Sequence, residues 1–363
     1  MVDFVEYVVS ELKSKRLGKA GALELIRQFS GRRTAPEQLH PLVHRNVSTL
    51  TQQRYRTRLG GGEFFLRDHR VRMPSGTAVG VLPGVAYLEM ARAAVVDAVP
   101  ELADGALLAF ENVLWLSPFA VESEREILID IDAGDDCLEF RVFSEDEAAG
   151  HRIEHASGRV RFYDAVDASP LDLAQVRAAM GRDHWDADTV YSTYTQIGIE
   201  YGPAHRGIVR LDSGEGQVFG ELALPEGLSG QDAPAYVLHP SLIDSALQAA
   251  IGLGERGVVP GDPMLPFALE SLCILGDCGT HPYVFVRRAD AGSTDNAQLT
   301  LDLDLCDEHG NLCVQMRGFS ARRFEARNVS APAGAVETLI AVPGWGEPLP
   351  SVEAASAAGF AHM

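Results

Sequence analysis

Apolar residues recur at three- and four-residue spacing through VDFVEYVVSELKSKRL and again through AGALELIRQF, which predicts two helices parted by Gly18. The polar, Pro-containing stretch GRRTAPEQLHP interrupts that period, so residues 1–41 read as a helical lead-in or linker from an upstream domain. Beyond it the period changes to two. QQRYRTRL alternates as a strand, and FFLRDHRV is a polar turn carrying His69. Pro83-Gly84 then opens an apolar helix, VAYLEMARAAVVDAV, where proline is free of penalty because its missing N–H has no partner in a first helical turn. ALLAFENVLWL, REILIDIDA, CLEFRVFS and RIEHASGRVRFY follow as strands. The last three are spaced by Gly- and Asp-rich punctuation, as in an antiparallel meander. Residues 42–163 form one unit on this reading.

Residues 164–187 are polar, contain a proline and hold one short helix, which marks a linker. From 188 to 325 the same order returns. GIVRLDS and GQVFGELAL read as strands, HPSLIDSALQAAIGL as a helix, and FALESLCIL, YVFVRRA and AQLTLDLDLCDEHGNLCVQMRGF as a closing meander. AFENVLWL and FALESLCIL fall at matching places after the two helices, as SGRVRF and RGFSARRF do at the two ends. A meander curled round one long apolar helix buries that helix on its concave face. Two such units side by side make one pseudo-symmetric domain of the α+β class. Residues 326–363 begin with the Ala/Pro-rich ARNVSAPAGAV and continue into ETLIAVPGWGEPLP, a strand pattern with nothing after it to pair with. They read as a linker and the start of a downstream domain, and the chain as a piece excised from a longer polypeptide.

Composition narrows the function. The 363 residues, 46% hydrophobic, suffice for two cores of ordinary size. Thirty-one Lys and Arg against 51 Asp and Glu give a formal charge of −20, which argues against nucleic acid or an anionic membrane as partner. No apolar run approaches the ~20 residues that span a bilayer, and the acidic, polar N-terminus has no signal-peptide pattern. The five cysteines make no CxxC pair or Cys/His cluster, although Cys306 and Cys313 flank DEHGN as if across a hairpin. Reduced cysteines in a cytoplasmic protein are expected. No metal or nucleotide motif occurs: Gly60-Gly61-Gly62 is a turn, and there is no HExxH, GKS/T loop or GxGxxG after a strand.

Three stretches concentrate polar chemistry in apolar surroundings. His69 stands ahead of a helix whose first N–H groups, at Gly84 and Val85, are unpaired donors at the positive end of the helix. In LHPSLIDSALQAA, His239-Pro240 starts a helix that places Asp244 inside an apolar run, with Gln248 four residues on and on the same face. A carboxyl in such a site is expected to have a raised pKa, which suits a general acid. In EYGPAHRGI, the turn Tyr201-Gly202-Pro203 presents a phenol to a cleft. The histidine and the Asp–Gln helix hold nearly equivalent places in the repeat, so a two-fold-related pair of units brings them together. A base for an α-proton and an acid for a β-leaving group are what elimination of water needs, with helix N–H groups for the enolate oxygen.

FFLRDHRV followed by VLPGVAYLEMARAA, then YGPAHRGI, then HPSLIDSALQ, resembles the histidine, YGP and Asp/Gln motifs of the dehydratase domain of modular polyketide synthases. The wording is most similar to assembly lines whose acyltransferase acts in trans. The resemblance covers residues 40–325 and implies a double hotdog fold. It implies loss of water from a β-hydroxyacyl chain carried on the phosphopantetheine of an acyl carrier protein, with no cofactor bound by the domain itself. On that likeness His69 is the base, Asp244 the acid, and Gln248 orients Asp244. Gly84 and Val85, beside Pro83, hold the thioester carbonyl; Tyr201, with Gly202 and Pro203, lines the tunnel, and His239 borders the substrate. The lead-in resembles the connector after a ketosynthase, and TLIAVPGWGEPL the opening strand of a ketoreductase region. Arg67, Arg70, Arg72, Arg206 and Arg210 are the candidate basic patch for the acidic carrier protein, and a homodimer is expected by analogy with the assembly line.

One spacing departs from the family. His69-x6-Gly76-x6-Pro83 is about five residues longer than the family pattern, with Met73-Pro74-Ser75 in the added part. A surface bulge that leaves His69 in place is the expected outcome. Two alternatives keep the pocket or the fold. One is a pyran- or furan-forming cyclase or double-bond isomerase, disfavoured because Asp244 and Pro83 are retained. The other is a non-catalytic scaffold or chain-branching module.

Overall fold

The computed structural model describes residues 38–73, 75–146, 150–164, 168–228, 235–257, 264–289 and 298–323, with Lys13 and Gly18. The expected lead-in helices over 1–41, apart from its last residues, and the linker and strand expected over 326–363 lie outside the described residues.

Alternation builds the strands of the first half: β1 (Arg45–Asn46), β2 (Gln53–Leu59), β3 (His69–Arg72), β4 (Ala78–Val81), β5 (Leu107–Trp115), β6 (Ala120–Val121), β7 (Arg125–Ala133), β8 (Leu138–Asp146) and β9 (His151–Tyr163). In β7 the isoleucines at 127, 129 and 131 all face the core, as a period of two requires. The second half adds β10 (Asp183–Asp186), β11 (Ile199–Tyr201), β12 (Ile208–Ser213), β13 (Gln217–Leu222), β14 (Met264–Ile274), β15 (Tyr283–Arg288), β16 (Gln298–Cys306) and β17 (Leu312–Arg323). One 13-stranded sheet runs in the order β1-β2-β7-β8-β9-β5-β14-β17-β16-β15-β13-β12-β10. The halves meet where β5 pairs antiparallel with β14, with Phe110 opposite Leu272 and both side chains buried.

Each half wraps one helix. Gly84–Ala98 is apolar on nearly every side, with Val85 to Ala91 all buried, the signature of a helix inside a core rather than on a surface. It ends at Val99 because the residue before Pro100 is driven out of helical backbone. Its counterpart is Pro240–Gln248, continued by a 3-10 turn over Ala249–Leu253.

Two segments differ from the sequence reading. The stretch 164–187 contains not only the short helix Leu173–Ala178 but also β10, which pairs with β12 at the sheet edge. A short alternating DHWD carries too little period to stand out among polar neighbours; burial of Trp185 fixes it. His69 lies at the start of a strand, not in a turn. A single helical turn, Phe64–Arg67, precedes it, and β3 and β4 form a hairpin closed by Met73 N–H to Thr77 O at 2.9 Å. Gly76 takes φ +85° at the tip, a left-handed conformation that glycine adopts without strain. The longer spacing after His69 is this hairpin.

A second, four-stranded sheet in the order β11-β3-β4-β6 bridges the halves, because β11 belongs to the second and the other three to the first. Its register sets Tyr201 opposite His69.

Candidate active site

His69 emerges from the base of the hairpin, and its Nδ1 lies 2.7 Å from the carbonyl oxygen of Val81 at the opposite end. A carbonyl only accepts, so Nδ1 carries the hydrogen and Nε2 keeps its lone pair. Burial holds the His69 pKa below its usual value, opposed by the nearby Asp244 carboxylate, so the ring is a neutral base at physiological pH.

Asp244 projects from the second central helix and is 6% exposed. Gln248, one turn on, donates to its Oδ2 at 2.7 Å, as the four-residue spacing requires. His205, at the end of the one-turn helix Pro203–His205, brings Nδ1 to 3.3 Å from the same oxygen. Burial pushes the carboxyl up, but the His205 hydrogen bond, the nearness of the His69 and His205 rings and the Gln248 amide outweigh it, holding Asp244 below the ordinary carboxylate range. The raised pKa expected from the apolar helix is therefore corrected: Asp244 is ionised in the free domain. The apolar run showed the burial and not the donor that His205 brings from 39 residues upstream.

His69, Asp244, Gln248, Gly84 and Tyr201 line one cavity of about 550 Å³, whose remaining wall is largely apolar, with Val71, Tyr87, Trp115, Tyr194, Leu247 and Phe319 among its residues. The His69 and His205 ring centroids are 5.6 Å apart, and His69 and Tyr201 are also 5.6 Å apart; the His69 ring and the Asp244 carboxyl open on the same cavity. Burial raises the Tyr201 and Tyr194 phenols far above their usual value, and both stay neutral. Pro83 caps the first central helix and Gly84 opens it, with Trp115 Nε1 donating to the Gly84 carbonyl at 3.0 Å. Val85 is 1% exposed and packs into the core behind Gly84.

Two family-model matches account for most of the described chain. The polyketide synthase dehydratase domain matches residues 40–145, and the polyketide synthase dehydratase N-terminal domain matches 168–331. A solved trans-AT polyketide synthase dehydratase domain from Brevibacillus brevis superposes with a TM-score of 0.73 at 37% identity, over 80% of this chain and 100% of that one. The chain belongs to the polyketide synthase dehydratase family. It has the family's double hotdog fold. The dehydratase domain of RzxB from Pseudomonas fluorescens is similar at 29% identity and a TM-score of 0.68, over 79% of this chain and 100% of that one. Polyketide synthase PksM of Bacillus subtilis is 34% identical over 339 residues, 89% of this chain and 8% of that protein. PksN of the same organism is 32% identical over 324 residues, 88% of this chain. The dehydratase thus spans 8% and 6% of the length of these curated relatives, which are multidomain synthases. The family is one of hydro-lyases acting on carrier-tethered chains.

Other predicted residues of the dehydratase lie apart from the cavity wall. His239 is the N-cap of its helix: Nδ1 accepts the Ser241 N–H at 3.2 Å, and the ring stacks on Phe64 at 5.6 Å. It lines a second cavity of about 690 Å³, and burial lowers its pKa to about 4. Gly202 and Pro203 shape the turn behind Tyr201. A Cβ on Gly202 would stand 2.5 Å from Asp68 Cγ, so only glycine fits. Of the candidate basic patch, Arg67 pairs with Asp68 at 2.9 Å, Arg72 with Glu200 at 3.0 Å and Arg210 with Glu221 at 3.3 Å. Arg206 donates to the Tyr201 carbonyl at 2.9 Å, and Arg70 to the Ala78 carbonyl. Sequence reasoning missed His205 and Asp68. Both stand inside quoted motifs, HRGI after YGPA and RDH before His69, and only the fold shows what they touch.

Proposed function

We propose that this domain eliminates water from a β-hydroxyacyl thioester on the phosphopantetheine arm of an acyl carrier protein, giving the α,β-unsaturated thioester. His69 Nε2 removes the α-proton, and the C–H electron pair becomes the new double bond as the C–O bond breaks. Asp244 protonates the departing hydroxyl, which leaves as water. The Gly84 and Val85 N–H groups stabilise the charge on the thioester oxygen, Gln248 orients the acid, and Tyr201 walls the tunnel. The observation that carries the reading is that His69 and Asp244, from opposite halves, open on one largely apolar cavity.

Asp244 must gain a proton before it can act as acid. An acyl chain filling the cavity strips water from the carboxyl and strengthens the effect of burial, so proton uptake accompanies substrate binding. The elimination is redox-neutral and both proton transfers fall to side chains, so the reading calls for no cofactor or metal. It places the domain in the cytoplasm within a homodimeric assembly line, between ketosynthase and ketoreductase domains of the same polypeptide. Arg70 and Arg206, which make no ion pair among the described residues, are the centre of the carrier-protein patch, flanked by Arg67, Arg72 and Arg210.

The test offers a β-hydroxyacyl thioester, carrier-bound or on a pantetheine surrogate, and follows loss of one water by mass spectrometry. Chromatography of the product separates the enoyl thioester from an isomeric cyclised one. No water lost by the wild type, or equal loss by His69→Ala, would refute dehydration by this site. A cyclised product would refute the simple dehydratase reading.

A further inference from the structure

We infer that His205 is a positioning residue for Asp244: a buried neutral imidazole that donates Nδ1–H to Oδ2 and, with Gln248, turns Oδ1 toward the cavity. The inference rests on the reading of Asp244 as the acid.

His205 is 0% exposed, and among the described residues its Nε2 has no hydrogen-bond partner. An imidazolium would bury a charged N–H with nothing to accept it. The tautomer with hydrogen on Nε2 leaves the same orphan donor and turns a lone pair toward the carboxylate. Only the neutral Nδ1–H form satisfies the contact at 3.3 Å. Every hydrogen bond to the Asp244 carboxyl among the described residues ends on Oδ2, one from His205 and one from Gln248. Gln248 Nε2 also reaches the His205 carbonyl oxygen at 3.1 Å, so the amide ties acid and histidine together.

The histidine is itself held. Asp68, next to the base His69, accepts the Ala204 N–H on its carboxylate at 2.9 Å and the Gly202 N–H on its carbonyl at 2.8 Å. Phe64, His69 and Tyr201 surround the ring, with centroids 6.0, 5.6 and 6.5 Å away. The turn bearing His205 is thus fixed to the strand bearing His69, and His205 transmits that placement to Asp244. The titratable groups facing Asp244 are His69 and Tyr201 from the small sheet, Tyr191 and Tyr194 from the helix Ala187–Gln196, and His205. Those facing His205 are Asp68, His69, His239 and Asp244.

Two variants test this on the pantetheine surrogate, with kcat and KM measured across pH. His205→Phe keeps a planar ring and removes the donor. His205→Asn places an amide N–H where Nδ1 stood. For the Phe variant, kcat at the optimum should fall about tenfold with KM within about twofold. Its alkaline limb, which reports loss of the Asp244 proton, should move up by about one pH unit, because a donor favouring the carboxylate is gone. His205→Asn should restore both kcat and the limb. Should the Phe variant not fold, His205→Met makes the same comparison. A donorless variant with wild-type kcat and an unmoved limb overturns the inference. So does a lower kcat with an unmoved limb that Asn fails to restore, which is the mark of packing alone. Asp244→Asn turning over at the wild-type rate would instead overturn the acid reading beneath it.

Discussion

At the scale of single residues, the site holds two titratable groups below their ordinary pKa, a neutral His69 beside an ionised Asp244. Val81 O fixes the hydrogen of His69 on Nδ1, and burial lowers the ring's pKa, so the lone pair on Nε2 persists below the usual histidine midpoint. Asp244 is the nearby charge that opposes this shift. In Asp244→Asn the opposition is gone, so the His69 pKa should fall further; NMR titration of the imidazole C–H signals reads it directly, and an upward move would contradict the geometry. The same substitution should lower kcat by about 10²–10⁴-fold, the usual contribution of one positioned acid. His69, Asp244 and Gln248 could be picked out of the chain because each breaks a pattern: a histidine before a Pro-Gly helix start, a carboxyl in an apolar helix, an amide one turn later. The state of Asp244 could not, since it depends on His205, whose distance in sequence says nothing of its 3.3 Å approach.

At the scale of elements, period alone located both central helices and the strands β2, β5, β7, β8, β9 and β12 to β17, because a core on one face forces alternation. It failed where the face is short. β3, β4 and β10 are four-residue strands whose pairing, not their pattern, makes them strands. The hairpin after His69 accordingly read as a loop. Its tip is a place for a mild test: Gly76→Ala, at φ +85° with open space around the Cβ, should cost about 1 kcal/mol in denaturant unfolding and leave kcat unchanged. A larger test lies in the first central helix. Glu89 is fully buried, accepts from Arg92 at 2.8 Å, lies 3.2 Å from His40, and caps the Val237 and Leu238 N–H groups at 3.0 and 2.9 Å ahead of the second central helix. Burial pushes this carboxyl up, but His40 and Arg92 outweigh it and keep it ionised. Glu89→Ala would strand an arginine and two backbone donors and should cost about 3–5 kcal/mol, read as a lowered denaturant midpoint. A loss under about 1 kcal/mol would show that the two helices do not depend on this link.

At the scale of the whole molecule, the shared sheet through β5 and β14 and the small sheet through β3 and β11 make the halves one body, so loss of any buried polar joint should be felt as global stability. Several such joints are neutral histidines. His155 donates from Nδ1 to Ser117 O at 3.0 Å and meets Ser144 Oγ at 2.9 Å beneath the first half's sheet. Burial brings its pKa to about 4, and burial does the same for the helix cap His239. His69 and His44 are also held below the ordinary value by burial. An unfolded chain protonates these rings near pH 6.5, whereas the folded protein resists until about pH 4 for His155 and His239. Between those values the unfolded state binds more protons, so stability is full above about pH 6.5 and falls as pH drops. His155 and His239 should each contribute a loss of about 3 kcal/mol by pH 4. The buried carboxylates with lowered pKa, Asp68, Asp244 and Glu89, add their own loss only below the ordinary carboxylate range, so the upper part of the window belongs to histidine. Denaturant midpoints taken from about pH 7.5 to about pH 4.5 should therefore decline steadily, and His155→Gln, which keeps a polar side chain but no titration, should flatten the slope even if it lowers the midpoint at neutral pH. A midpoint constant down to pH 5, or a His155→Gln slope equal to that of the wild type, would show that these rings are not buried neutral.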